Sequence, residues 1–213
     1  MQCLDAPGIF PKAEEFFQEW SKEEKEPAKP WYECLKVGGV SGQDSWKNIP
    51  VASLQFEGMQ KIEDWHTGWQ AVHDGKNLYF KIECRVPFSA PALPPSSDFA
   101  DSDYLRIFIE PRRFYPTRDF YIGSFGTEYF DSKEVLLDQR WTIKVMRHTS
   151  GWSAMVVIPF ECLSVSAPEM LRVNIERTVP GLGKMAWIPR PPRKYRLIFG
   201  DIAPSDLGNV EMR

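Results

Sequence analysis

Hydrophobic and polar positions alternate in short runs along most of this chain, and a period of two predicts strands. In the clearest run, residues 101–111, Leu105, Ile107 and Ile109 fall on one face and Tyr104, Arg106, Phe108 and Glu110 on the other, and Pro111 ends the strand. Over residues 77–86, Leu78, Phe80 and Ile82 alternate with Tyr79, Lys81 and Glu83, after a turn built from His73, Asp74, Gly75 and Lys76. The same reasoning predicts strands over 31–37, 51–56, 68–72, 119–125, 127–137, 142–147, 152–158, 171–178 and 196–202. His148 to Gly151 reads as a hairpin turn, and residues 87–98, with four prolines, as a loop. Only the beginning breaks the pattern. After Pro11, residues 12–25 put Phe16, Phe17 and Trp20 on one side of an amphipathic helix that stops before Pro27. The sum is an all-β chain, an antiparallel β-sandwich of immunoglobulin or jelly-roll type over 31–213, with a helical extension over 1–30.

Charge removes some functions. A net charge of −3 over 213 residues gives no basic excess for phosphates, so nucleic acid is not an expected partner. Apolar runs fall short of the roughly 18 residues of a membrane span, and the N-terminus lacks the pattern of an export signal. Cys3, Cys34, Cys84 and Cys162 are too widely spaced for a zinc site, and their disulfide state is open. None of the common nucleophile, phosphate-loop, dinucleotide or metalloprotease motifs occurs. Glu110, Glu128, Asp131 and Glu134 offer carboxylates for glycoside hydrolysis, but nothing in their spacing selects an acid and a nucleophile. The loop before the 101–111 strand gathers Ser96, Ser97, Asp98, Asp101, Ser102 and Asp103. It reads as a solvated turn or as a site for a polar ligand or hard cation.

Several segments together carry a resemblance. Trp46 after Gly42-Gln43-Asp44, the His73 to Tyr79 turn and strand, Asp103 to Phe108, Trp152 to Phe160, then Asn174, Arg177, Trp187-Ile188-Pro189 and Phe199-Gly200 follow one another in the order of family 9 carbohydrate-binding modules. The chain resembles that family from about Gly39 onward. The resemblance implies a sandwich that binds a mono-, oligo- or polysaccharide without cleaving it, with no cofactor other than a structural calcium, for which Asp98, Asp101 and Asp103 are the candidate ligands. It also implies a module of, or accessory to, a polysaccharide-degrading glycoside hydrolase, working outside the cytoplasm. It puts the late sugar-stacking aromatic at Trp187, with Asn174 and Arg177 as polar partners. Phe99 substitutes for the early Trp, with Tyr104 beside it. One position departs from the family: Arg106 stands where a Glu is usual. A guanidinium there suits an acidic sugar through paired hydrogen bonds, or else closes an ion pair with a neighbouring acid.

Other readings stay open at this stage. His66, His73 and His148 with Met59 or Met146 are candidate axial ligands for a haem-binding sandwich. A pure interaction domain would dock through its N-terminal helix. Trp46, Trp141 and Trp152 lie in or beside strand patterns and are expected in the core. Trp65 and Trp69 flank a less regular stretch and are expected to be more exposed, and Trp187 is expected to stand out at the sandwich edge.

Overall fold

The computed structural model describes residues 30–40, 43–56, 65–87, 98–111, 117–132, 141–166, 168–189 and 207–213. The predicted helix over 12–25, the predicted strand over 196–202, the end of the 127–137 run, and Met59 lie outside them. The strands are β1 (Trp31–Lys36), β2 (Ala52–Ser53), β3 (Gln55–Phe56), β4 (His66–His73), β5 (Asn77–Arg85), β6 (Tyr104–Glu110) and β7 (Arg118–Gly123). They continue with β8 (Glu128–Ser132), β9 (Thr142–His148), β10 (Gly151–Pro159), β11 (Met170–Val179), β12 (Gly183–Ala186) and β13 (Gly208–Met212).

Two layers result. The front sheet runs β8-β7-β6-β11-β13-β1, with β12 also against β11 and β3 against β12. The back sheet runs β9-β10-β5-β4, with β2 on β4. β1 belongs to both: Trp31 to Cys34 pair in parallel with β13, and Leu35 and Lys36 pair in parallel with β4. The other pairings are antiparallel: β4–β5, β6–β7, β7–β8, β9–β10 and β11–β12 join consecutive strands, whereas β5–β10 and β6–β11 join strands more than 60 residues apart. Gly151 shows why one turn needs glycine: its φ is +140°, and a Cβ would lie 2.0 Å from the Cys84 carbonyl oxygen. At the β4–β5 turn, the Asp74 carboxylate accepts bonds from the Lys76 and Asn77 backbone N–H groups and from the Tyr79 hydroxyl.

The inward faces fuse into one core. Leu105, Ile107 and Ile109 face inward as their alternation requires, opposite Phe80, Ile82 and Val156 of the back sheet, all fully buried. Trp46, Trp141 and Trp152 are buried too. Trp69 corrects the expectation of exposure: β4 is internal to the back sheet, so its indole is fully buried, stacked 4.4 Å from Tyr32, while Trp65 is half-buried. Cys34, Cys84 and Cys162 are buried free thiols. Among the described residues no helix is long and apolar enough to cross a membrane.

Candidate functional site

The outer face of the front sheet is where polar and aromatic side chains collect. Strand alternation sends Tyr104 and Arg106 outward on β6, and register puts Tyr121 of β7 beside Arg106 and Tyr129 of β8 beside Tyr121. A short 3₁₀ turn, Phe99–Asp101, delivers Phe99 onto the same cluster. Ring centroids lie 5.4 Å apart for Phe99 and Tyr104, 5.7 Å for Phe99 and Tyr121, 6.2 Å for Tyr104 and Tyr121, and 5.6 Å for Tyr121 and Tyr129. These are the spacings of tilted and edge-to-face aromatic contact. Tyr129 is 55 % exposed and the other three are half-buried, so the cluster presents an aromatic surface to solvent.

Arg106 organises the polar side. Its guanidinium stacks 4.0 Å over the Phe108 ring and 5.0 Å from Tyr121, and Nη2 donates to Asp119 Oδ2 at 2.5 Å. Glu176 of β11 sits directly across the ladder from Arg106. Burial works against the Arg106 charge, and Asp119 more than restores it, so the guanidinium holds its proton beyond its usual range. Of the two roles its chemistry allowed, the ion pair with a neighbouring acid is the one formed. With Asp119 and Glu176 beside one guanidinium, the cluster carries no positive excess to draw an acidic sugar.

Three other residues singled out from the sequence lie elsewhere. Arg177 points into the sandwich and is fully buried. Its Nε and Nη2 donate to Asp103 at 2.8 and 2.6 Å, and Nη1 donates to Thr67 Oγ1 and the Arg85 carbonyl. Trp152 Nε1 donates to the same Asp103 at 2.8 Å. Asn174 is buried by the chain that follows β12, bonding both the carbonyl and the N–H of Ile188. Trp187 corrects the expected outward indole: it is 7 % exposed and meets Trp69 edge-on at 4.9 Å. Asp103 is thereby committed to Arg177 and Trp152, while Asp98 and Asp101 are exposed. Among the described residues no three His, Cys, Asp or Glu side chains converge as metal ligands. His66 and His73 stand at opposite ends of β4, and Met146 and His148 project side by side from β9.

A scan of family models finds no match. A search of curated proteins finds none either. Among solved structures, a family 9 carbohydrate-binding module from Caldicellulosiruptor kristjanssonii in complex with cellotriose matches with a TM-score of 0.67 at 12% identity, over 86% of this chain and 94% of that one. The chain has a family 9-like fold. The glucose complex of a family 9 module from the same organism matches with a TM-score of 0.67 at 12% identity, over 86% of this chain and 96% of that one. A proposed carbohydrate-binding protein from Bacteroides uniformis matches with a TM-score of 0.65 at 10% identity, over 87% of this chain and all of that one.

On this family 9-like frame, Phe99, Tyr104 and Arg106 come together, while Trp187, Asn174 and Arg177 do not join them. Tyr121, Tyr129, Asp119 and Glu176 complete the cluster and were not singled out from the sequence. A signal for two of them was present: Phe120 and Ile122 alternate with Asp119 and Tyr121.

Proposed function

We propose that this protein binds a neutral saccharide, without cleaving it, on the outer face of the front sheet over Phe99, Tyr104, Tyr121, Tyr129 and Arg106. One observation carries the reading. Four aromatic rings and a guanidinium gather on the solvent side of a sheet, in a fold whose solved counterparts hold cellotriose and glucose. A pyranose offers C–H groups on its face and hydroxyls around its rim. Tyrosine rings suit the face, and tyrosine hydroxyls and Arg106 suit the rim, while the Asp119 carboxylate, itself buried, holds Arg106 in place. The charge balance around Arg106 favours a neutral ring over a uronic acid.

Binding proceeds without hydrolysis. Glu110 and Asp119 are each committed to an arginine, Arg172 at 3.1 Å and Arg106 at 2.5 Å, a poor starting point for proton transfer. In this reading residues 31–213 are the binding module, which works with a glycoside hydrolase on polysaccharide outside the cytoplasm.

Calorimetric titration with neutral oligosaccharides tests the reading. Tyr121→Ala should weaken binding at this cluster about tenfold or more while the protein stays folded. Unchanged binding in that variant would overturn it.

A further inference from the structure

A second part of the same outer face carries its own exposed indole. Trp31 opens β1 and is 52 % exposed. Register lines it up with Asn209 of β13, Arg172 of β11 and Glu110 of β6, so four side chains stand in one row across four strands. The next row holds Glu33, Glu211 and Met170, the last 44 % exposed. Ion pairs fix the rim: Arg213 donates to Glu211 at 2.7 Å and to Glu33 at 2.9 Å, and Arg172 donates to Glu110 at 3.1 Å. A guanidinium has five N–H donors and a carboxylate about four acceptor sites, so these pairs keep capacity for a further partner.

We infer that this patch is a second saccharide-binding site, which takes a neutral sugar ring flat on the Trp31 indole with its hydroxyls bonded to Asn209, Arg172 and the Glu33–Arg213–Glu211 group. The ligand class rests on the function proposed above; the location does not. The core of a protein-binding hot spot is enriched in aromatics, Met and Arg but depleted of Glu, Asp and Lys. Trp31 is instead bordered by an amide, two guanidinium groups and carboxylates, which match a ligand that is apolar on its face and hydroxylated at its rim. Three carboxylates against two guanidinium groups leave the patch slightly negative, which disfavours a uronic acid. It is also separate from the tyrosine cluster. Four strand spacings separate Trp31 from Tyr121, about 19 Å, and Phe108 and Asn174 between them are buried.

The test is calorimetric titration of the whole chain with cellotriose, using the parent, Trp31→Ala, Tyr121→Ala and the double variant. Thermal melts check that each is folded, which a half-exposed surface indole makes straightforward. The expected result is two sites in the parent, one in each single variant and none in the double, with affinity at the altered site falling about tenfold or more. Loss in Tyr121→Ala with Trp31→Ala equal to the parent overturns the second site and leaves the proposed function standing. Loss in Trp31→Ala with Tyr121→Ala equal to the parent does the reverse. If cellotriose does not bind, affinity electrophoresis in soluble neutral glucans, xylans and mannans decides, and retardation independent of Trp31 in all of them overturns the inference. Self-association that Trp31→Ala abolishes, with no effect on sugar binding, overturns it as well.

Discussion

Replacing Trp187 by Ala separates a packing role from a sugar-stacking one. The indole is 7 % exposed, touches Trp69 edge-on at 4.9 Å, and lies so close to Gly208 that a Cβ there would come within 2.5 Å of its ring. Removing a buried indole of this kind costs about 3–5 kcal/mol in lost transfer energy and residual cavity. For a chain of this size each kcal/mol lowers the melting temperature by roughly 2–4 °C, so the expected drop is about 6–20 °C. Gly208→Ala should act on the same contact from the other side: its methyl group forces the ring to shift, at a cost of about 1–3 kcal/mol. Thermal and urea unfolding of both variants measure this, alongside saccharide titration well below the transition. Trp187→Ala should lose stability and keep affinity. A variant that melts within about a degree of the parent while losing its sugar would refute the packing argument and return Trp187 to the binding surface.

Three further outcomes follow from buried or bonded groups. Asp103→Ala strands the buried Arg177 guanidinium and should cost about 3–5 kcal/mol, whereas Asp103→Leu with Arg177→Met should be milder; equal losses would contradict the pairing. Burial raises the Asp74 carboxyl, but bonds from Tyr79, Asn77 and Lys76 outweigh it and hold the group well below the usual carboxylate range. Its stabilisation is therefore complete above the unfolded-state value near 4 and fades as pH falls below it. The stability gap between parent and Asp74→Ala should narrow on acidification below about pH 4, and a gap that widens would show the sign is wrong. Burial pushes the Cys34 and Cys84 thiols up to about 12, so alkylation at pH 8 should label neither until the protein is unfolded, and native labelling would contradict their burial.

Alternation made the centre of each sheet legible. In β5, β6 and β10 the inward residues are the ones the period of two selects, because an internal strand buries one whole face. The site residues were harder because position on a face depends on neighbours far away in sequence. Trp187 follows a turn and looked free to stand out. It is enclosed because β13 lies alongside β11 and Gly208 leaves room for the ring, and neither short β12 nor β13 was anticipated. Arg177 was hard to place for the opposite reason. It shares the inward face with Leu171, Val173 and Ile175, so alternation already pointed it into the core, but a charged side chain is not expected there without the partner that Asp103 supplies from 74 residues away. Phe108 lies on the outward face as its spacing requires, yet is buried beneath the Arg106 guanidinium.

A crystal structure of the protein with the tightest-binding neutral saccharide from a panel tests the proposed function most directly. The expected result is a pyranose ring lying on Tyr121 and Tyr129, with a hydroxyl bonded to Arg106. A sugar that leaves the tyrosine cluster empty, or a panel in which no saccharide binds, would contradict it.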